Sequence, residues 1–508
     1  MNKSIFFRCA ALLLVAILCL GLLIGCKNDK SDGKDSGSAS DVTETGGESV
    51  TEAVDVLEGV TYNGEVIKVF SWIPSNLKEY VPEFEAGAHV VEQKTFERMQ
   101  KTKKQLNIGV DWMEKPGNAA NLADFINEAA IGIMVGDYDV ICCYSQGAAS
   151  LTSNGYASNL LDYGTMDFSQ EWYPQNLVND CTIFDKLYFC TGDVSTNLVN
   201  MTSMVFFNHQ LMEKYKINDA IRNTYDEEDI YDLVRNGKWT QEALITLSKG
   251  VWEDNDNSSG TTFLDTVGFS TYNTLLCNFY YGAGYKAINV GEEGVSLSED
   301  YVNAGLVVEL LDTIGGFVHE TNSSYYCSSY NEAMDIFADG RSLFSLAPAS
   351  HAYMKHAKSN VEFGALPVPK GSVDQLEYRS VHSRPYSMYL IPNTSEKSEI
   401  AASFLQCLGQ WSYTTTRTAI IETTMKGRYS SVTAEDAEMW DYIIDSQVFD
   451  MGRVFESMYM HTNGRANTDL FAFRLSQNNT DWASIIEKYK TPMIEQCTEI
   501  NNMLKAFG

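Results

Sequence analysis

The stretch LADFINEAAIGIMVGDYDVICCY, residues 122–144, decides the fold class of this chain. Its first half repeats apolar side chains at the spacing of one helix face, and Gly136 ends that pattern. Its last seven residues, YDVICCY, are short and nearly all apolar, which predicts a buried strand. Upstream, residues 62–73 alternate as a strand does, and residues 96–106 have the pattern of a surface helix. Strands that alternate with helices predict an α/β fold with a mainly parallel sheet.

The same alternation continues to the end of the chain. Further strands are predicted over 204–208, 344–348 and 386–392, and amphipathic helices over 400–411 and 482–504. Helix starts are marked by Thr240, a plausible N-cap, and by a capping box from Thr433 to Asp436. Roughly 450 residues follow the polar N-terminal segment, too many for one core, so we predict two α/β lobes.

The N-terminus has the pattern of an export signal. Lys3 and Arg8 precede an uncharged apolar run over 10–24, which is too short for an ordinary transmembrane helix of about 20 residues. The residues LIGC that end at Cys26 resemble a bacterial lipobox. This resemblance implies a signal peptide over 1–25 and a lipid on Cys26, which anchors the protein on the outer face of the cell membrane. A plain secretory signal with an incidental cysteine is the alternative.

The segment after Cys26 is polar and acidic. Residues 26–58 consist mainly of Ser, Gly, Asp, Glu, Thr and Lys, a composition that predicts a disordered tether. The whole chain has a formal net charge of −30, which disfavours nucleic acid and anionic lipid as partners. Membrane contact is therefore expected through the lipid alone.

Residues 181–190, CTIFDKLYFC, place two apolar arms about Asp185-Lys186 and predict a hairpin. A two-residue turn there sets Cys181 opposite Cys190 at a non-hydrogen-bonded pair, with a Cα separation of about 4.5 Å. These cysteines are a candidate disulfide in an exported protein, although an anaerobic host would leave both thiols free.

One acidic loop has spacing close to that of a calcium site. Asp254, Asp256, Ser258 and Asp265 fall near the ligand positions of an EF-hand loop. The glycine of this loop, Gly260, is displaced by one residue from the EF-hand position. We therefore predict a solvated acidic loop and no metal site, with calcium as the alternative.

Enzyme motifs are missing from the sequence. No G-x-S-x-G, H-E-x-x-H or P-loop motif is present, so we predict no catalysis and no cofactor. Paired carboxylates of an exported glycoside hydrolase stay an alternative among the 67 acidic residues.

Five stretches resemble, in order, signature segments of family 1 extracellular solute-binding proteins, the receptors of ATP-driven sugar importers. They are MVFFNHQLMEKYKI (204–217), LVRNGKWTQEAL (233–244), EAMDIFADGRSLFSLAP (332–348), VEFGALPVPK (361–370) and YLIPNTSEKSEIAASFLQCL (389–408). The similarity runs from about residue 62 to the C-terminus. A further stretch, 423–452, is similar to large lipoprotein members from Gram-positive bacteria.

The resemblance implies a type II periplasmic-binding-protein fold with two discontinuous lobes, crossover strands and a ligand cleft between the lobes. Carried over, lobe one spans 60–195 and 370–425, and lobe two spans 196–369 and 426–508. It also implies a monomer that delivers a small solute, most often a carbohydrate, to ABC transporter permease subunits. An adhesive or sensory lipoprotein on the same fold is the alternative.

Ligand-binding residues are expected in the loops at strand ends, because ligands of open α/β sheets bind beyond the carboxyl ends of the strands. A sugar site needs aromatic faces and hydrogen-bond acceptors for its hydroxyl groups. The candidates that meet these conditions are Trp72, Tyr144, Ser145, Asp193, Tyr281 and Tyr386. For each one, core packing is the alternative to ligand contact.

Overall fold

The computed structural model describes residues 56–75, 77–83, 89–429, 433–455, 460–461, 465–466 and 470–506. The predicted signal peptide, Cys26 and nearly all of the predicted tether lie outside these ranges. The end of that tether does not, because residues 56–59 form a turn and Leu57 is buried in the core. Residues 56–58, which were predicted to end the tether, therefore pack with the folded chain.

The strands belong to two large sheets and two hairpins. In chain order they are β1 (Val66–Trp72), β2 (Gly109–Lys115), β3 (Val140–Tyr144), β4 (Ser203–Asn208), β5 (Trp252–Glu253), β6 (Thr266–Tyr272), β7 (Ile288–Gly291), β8 (Gly294–Leu297), β9 (Ser324–Cys327), β10 (Ser342–Pro348), β11 (Phe363–Leu366), β12 (Ser387–Leu390), β13 (Met460–His461) and β14 (Arg465–Ala466).

Helices separate most of these strands. The α-helices span Val90–Leu106, Leu122–Met134, Ser145–Ser153, Gln175–Cys181, His209–Lys214, Ile217–Tyr225, Ile230–Arg235, Gln241–Ser248, Cys277–Gly282, Glu299–Val302, Ala304–Glu320, Tyr330–Ala338, Ser350–Met354, Ser398–Thr414, Thr416–Thr418, Ala434–Asp445, Met451–Val454, Leu470–Ser476 and Trp482–Ala506. A π-helix spans Ala419–Tyr429, and short 3₁₀ turns span Leu160–Asp162, Val199–Met201, Asn273–Leu275 and His356–Lys358. Within the described ranges, no helix has both the length and the apolar run that a membrane span requires.

The first sheet has the strand order β12-β3-β1-β2. Strands β2 and β3 both run parallel to β1, as the sequence predicts, and β12 returns antiparallel to β3 at the edge. All five residues of β3 are buried, because the sheet is covered on both faces. We call this sheet with its helices lobe one.

The second sheet has the order β11-β4-β10-β6, and both β5 and β9 pair with the far edge of β6. It is mixed: β6 is parallel to β10 and β9, whereas β4 is antiparallel to β10 and β11. Strands β4, β6 and β10 are buried along their whole length. We call this sheet with its helices lobe two.

Three chain segments run side by side between the two sheets. They lie near Met201, near Ser383 and near Val448. Ser383 N donates to Met201 O at 2.7 Å, and Val448 N donates to Ser380 O at 3.1 Å. These hydrogen bonds tie together three neighbouring segments that run between the two lobes. The lobe boundaries within the chain stay a prediction.

Predicted helix starts are confirmed where a side chain caps the helix. Thr240 Oγ1 accepts from Ala243 N at 3.2 Å. Thr433 and Asp436 form the reciprocal capping box ahead of the helix Ala434–Asp445.

The hairpin predicted over 181–190 is wrong. Only Ile183 and Lys186 pair, so the central residues of the turn lie one position earlier than expected, at 184 and 185. Both have positive φ, 53° and 57°, which is the geometry of a tight hairpin turn. The arms separate at once beyond that turn.

The separated arms place the two candidate disulfide residues on different elements. Cys181 is the last residue of the helix Gln175–Cys181, and Cys190 pairs with Tyr389 of β12. Both are buried free cysteines. The strand pairing on which the predicted disulfide depended is therefore absent.

Candidate functional site

A cavity of about 410 Å³ lies between the two lobes, which we call the interlobe cavity. Lobe one contributes residues beyond β1 and β2 and at the end of β3, and lobe two contributes the ends of β6 and β10. The connecting segments supply the floor. The lining residues are Ser75, Ala119, Tyr144, Met201, Tyr272, Thr274, Tyr330, Pro348, Met354, Ser383, Arg384, Pro385 and Arg453.

Three tyrosines give the cavity its aromatic character. Tyr144 ends β3, Tyr272 ends β6, and Tyr330 begins the helix after β9. The rings of Tyr272 and Tyr330 meet edge to face with centroids 5.6 Å apart. Burial raises the pKa of both hydroxyls, so each stays protonated at neutral pH and can donate or accept a hydrogen bond.

Two arginines line the cavity at the side of the connecting segments. Arg384 lies three residues before the start of β12, and Arg453 lies in the short helix Met451–Val454. Arg453 Nη2 donates to His382 O at 3.0 Å, and Nη1 lies 3.0 Å from Cys277 Sγ. These contacts hold the Arg453 side chain between the two lobes.

Comparison with known proteins places this geometry in a known fold. No protein-family model matches the sequence, and no curated protein matches it significantly. Among solved structures, UspC of Mycobacterium tuberculosis is similar with a TM-score of 0.52 at 12% identity, over 85% of this chain and 100% of that chain. The chain has the two-lobed α/β fold of type II periplasmic binding proteins. UgpB of M. tuberculosis, in complex with glycerophosphocholine, is similar with a TM-score of 0.50 at 14% identity, over 87% and 98% of the two chains.

The predicted binding-protein fold is thus confirmed, and the predicted ligand residues can be placed on it. Tyr144 lines the interlobe cavity. Ser145 and Tyr386 are nearly buried behind it and line a small second cavity of about 20 Å³, together with both arginines. Ser145 Oγ donates to Arg384 O at 2.8 Å. These three residues are brought together as expected, and their contact with a ligand stays a prediction.

Trp72 and Tyr281 belong to the core of this binding-protein fold. Trp72 exposes no surface, its Nε1 donates to Ser387 Oγ at 2.8 Å, and its ring meets Tyr144 edge to face at 5.4 Å. Tyr281 is buried, and its ring centroid lies 5.9 Å from the guanidinium carbon of Arg453. Both support residues of the cavity wall and do not line it.

Asp193 lies at a different cavity, of about 200 Å³, which Trp172 and Arg417 also line. Asp193 N donates to Trp172 O at 3.0 Å, and Arg417 Nε is 3.6 Å from Asp193 Oδ2. Burial raises the pKa of this carboxyl to about 7, although Arg417 lowers it in part. Asp193 therefore does not line the interlobe cavity with the other candidates.

Tyr144 is the one lining residue that the sequence predicted, and Tyr272, Tyr330, Arg384 and Arg453 are among the twelve that it did not. Tyr272 ends β6, so the strand-end rule that selected Tyr144 could have found it. Tyr330 follows a short strand with little periodicity, and the two arginines lie in segments without a local motif. Arg384 and Arg453 reach the same cavity only because the chain returns to lobe one at β12 and later passes back to lobe two.

The acidic loop forms a compact cluster in which carboxylate oxygens of Asp254, Asp256 and Asp265 lie within 4.8 Å of one another. Asp265 is buried, and Asp256 accepts hydrogen bonds from Ser258 N and Thr262 Oγ1 at 2.8 and 2.9 Å. Donors of the same loop therefore satisfy much of this charge. The choice between a solvated loop and calcium stays a prediction.

Proposed function

We propose that this protein is an extracellular receptor that binds a sugar or another small solute in the interlobe cavity. The main support is that strand ends of both lobes meet at one cavity, which is lined by three tyrosines and by three serine or threonine side chains. Aromatic faces suit the apolar face of a sugar ring, and hydroxyl groups suit its polar edge. The likeness in fold to UgpB, which is in complex with glycerophosphocholine, supports a solute-binding role.

Binding is expected to close the two lobes on the ligand. The segments at Met201, Ser383 and Val448, which run between the lobes, are the expected hinge for this motion. Ser383 Oγ is buried at the cavity and has no hydrogen-bond partner among the described residues. A solute hydroxyl in the cavity would satisfy it.

A thermal-shift screen with a saccharide and small-solute library tests this proposal. A ligand at 100 times its dissociation constant should add about 2.7 kcal/mol to the free energy of unfolding. Tyr330→Ala should weaken binding of the hit in calorimetry, whereas Tyr163→Ala, outside the described cavities, should not. If no solute stabilises the protein, or if both variants bind equally, the interlobe cavity is not the site of a solute receptor.

We further propose that the receptor is held at the outer face of the cell membrane by lipid on Cys26 and acts as a monomer with ABC transporter permease subunits. The support is the lipobox-like run and the acidic segment behind it. Cys26→Ala should move the protein from the detergent phase to the aqueous phase in cell fractionation. Cys19→Ala, inside the predicted signal, is the matched control and should not. Unchanged partitioning of the Cys26 variant would exclude lipid anchoring there.

Two alternatives have distinct outcomes. An exported glycoside hydrolase would convert the saccharide that it binds, which chromatography of the incubated ligand would reveal. An adhesive or sensory lipoprotein would bind the solute without supporting its uptake. Deletion of the gene should abolish uptake of the labelled ligand if the receptor serves an importer.

A further inference from the structure

The wall of the interlobe cavity is largely apolar. Besides its three tyrosines, five of its thirteen lining residues have side chains that donate no hydrogen bond and accept at most a weak one. They are Ala119, Met201, Pro348, Met354 and Pro385. Ala119 follows β2 of lobe one, Pro348 ends β10 of lobe two, and Met201 lies on a connecting segment. Apolar surface therefore reaches the cavity from both lobes and from the segments between them.

The hydroxyl of Tyr330 is engaged inside lobe two. It donates to Met354 Sδ at 3.3 Å and lies 3.3 Å from Ser350 Oγ. The Tyr330 ring meets the rings of Tyr272 and His351 edge to face, with centroids 5.6 and 4.5 Å apart. These contacts hold the Tyr330 side chain against Met354, so an aromatic ring and a thioether lie side by side in the wall.

The capacity of this wall to bind many hydroxyl groups is limited. Among the described lining residues there is no aspartate, glutamate, asparagine or glutamine, the side chains that can form two hydrogen bonds with neighbouring sugar hydroxyls. The two arginines have contacts within the protein, among them the hydrogen bond from Arg453 Nη2 to His382 O at 3.0 Å. A sugar with a free hydroxyl on every ring carbon would therefore leave several without a partner. Each buried group left so costs about five- to 150-fold in affinity.

A smaller hydroxylated group does find partners in the cavity. Ser75, Thr274 and Ser383 line it with hydroxyl side chains. Ser383 Oγ is buried and has no hydrogen-bond partner among the described residues. The wall thus fits a solute that is hydroxylated in one part and apolar in another.

The two methionines favour an aromatic group for the apolar part. Thioether sulfur is polarizable and makes favourable contacts with aromatic rings. Tyrosine rings add to this preference, because aromatic rings attract one another in edge-to-face and offset stacked arrangements. Met201 and Met354 line the same cavity as Tyr144, Tyr272 and Tyr330. An alkyl group would bury similar area there without these contacts.

We infer that the solute is an aryl glycoside, that is, a sugar that carries an aromatic group of the size of a phenyl ring. The aromatic group contacts Met201, Met354 and the tyrosines, and the sugar hydroxyls contact Thr274 and Ser383. The cavity volume of about 410 Å³ lies within the range of small-molecule sites, about 300–1,000 Å³. This inference rests on the proposed receptor function and narrows its substrate class.

Calorimetry with matched glycosides tests the inference. Phenyl and methyl β-glycosides of glucose, galactose, mannose and xylose form pairs that differ only in the group attached to the sugar. At least one phenyl glycoside should bind about 10- to 150-fold more tightly than its methyl partner, the gain expected when a phenyl-sized group is buried. The cyclohexyl glycoside of the same sugar should bind less tightly than the phenyl glycoside.

Two variants assign the parts of the ligand to the wall. Met354→Gln replaces the thioether with a polar side chain of similar length, so the preference for phenyl over methyl should fall about two- to tenfold. Ser383→Ala removes a hydroxyl group and should weaken both members of the pair equally, which leaves the preference unchanged. Met134→Gln is the matched control, because Met134 is 59% exposed on the helix Leu122–Met134 and does not line the cavity. If Met354→Gln does not fold, Met354→Ala takes its place with the same expectation.

The outcomes separate this inference from the proposed function. If a sugar binds but no phenyl glycoside binds more tightly than its methyl partner, the aryl glycoside inference is overturned and the solute receptor stays intact. Equal affinity for the cyclohexyl and phenyl glycosides would overturn the aromatic group, and a phenyl preference unchanged in the Met354 variant would overturn its place at this wall. Failure of every solute to bind would overturn both the inference and the proposed function.

Discussion

Glu79 and Arg98 form a fully buried ion pair, with Arg98 Nη2 3.3 Å from Glu79 Oε2 and neither side chain exposed. The same Glu79 Oε2 accepts from Tyr389 Oη of β12 at 3.0 Å. Its other oxygen accepts from Ser195 Oγ at 2.9 Å. One carboxylate thus joins the segment after β1, a helix, the returning strand and the start of the first passage to lobe two.

Removal of this carboxylate should be costly. Glu79→Ala leaves the Arg98 charge buried without its ion pair, so we expect the free energy of unfolding to fall by about 3–5 kcal/mol. Glu128→Ala breaks the half-exposed pair with Lys115 and should cost about 1 kcal/mol or less. Urea unfolding of both variants at one pH measures the difference. Equal losses would show that Glu79 does not organise lobe one.

Trp72 and Tyr144 should respond differently to substitution, although both were predicted to contact ligand. Trp72 exposes no surface and donates to Ser387, so Trp72→Ala should lower the free energy of unfolding by about 3–5 kcal/mol. Tyr144→Phe keeps the ring and should leave stability within about 1 kcal/mol while weakening ligand binding. Denaturant unfolding with calorimetry on the same samples tests both. A stable Trp72→Ala protein that has lost only its ligand affinity would contradict the structure.

Asp193 should make stability depend on pH. Its pKa is raised to about 7 by burial, against about 4 in the unfolded chain. The folded protein therefore holds an extra proton between these values, and the free energy of unfolding falls as pH rises from about 4 to 7, by at most about 1.4 kcal/mol per pH unit. Below and above this window the carboxyl has no such effect.

Asp193→Asn removes this titration, and every other group titrates in both proteins. The unfolding free energy of the variant, relative to the wild type, should rise across the window and then level off. Urea titrations at several pH values between 4 and 8 measure that difference. A constant difference would mean that Asp193 ionises in the folded protein as it does in the unfolded chain. Ligand affinity should not change, since Asp193 does not line the interlobe cavity.

Cys181 and Cys190 should be free thiols that are protected by the fold. Burial raises the pKa of both thiols well above its usual range, so neither forms the reactive thiolate at neutral pH. Iodoacetamide should leave both unmodified in the native protein and modify both after unfolding without reductant. Peptide mapping reads out each site. If the two peptides instead remain joined until a reductant is added, Cys181 and Cys190 form a disulfide and this prediction is wrong.

The parts of the fold that follow local patterns could be predicted. The pattern of residues 122–144 correctly predicted a helix and β3. Both can be recognised from consecutive residues, because a helix with one buried face repeats apolar residues at helical spacing and a wholly buried strand is a short apolar run. Thr240 and Thr433 could be recognised because a cap depends on the next three residues. The pairing of β12 with β3 has no such local signal, since the two strands are far apart in the chain.

The residues of the candidate site were harder to predict from the sequence for the same reason. Tyr144 could be found because a strand end is visible in the sequence. Arg384 and Arg453 could not, since their meeting depends on where two separate passages of the chain lie. The hairpin near Asp185 failed on a single detail, which two residues adopt positive φ, and a shift of one position changes every partner beyond the turn.

The late return of β12 has a consequence for biosynthesis. The edge of β3 that β12 covers stays open until the ribosome has added roughly 240 more residues, on the order of 10–50 seconds at common elongation rates. During that interval the nascent chain exposes VICCY, an uncharged segment prone to intermolecular β-pairing. Slow translation between β3 and β12 lengthens this interval and should therefore favour aggregation of the nascent chain.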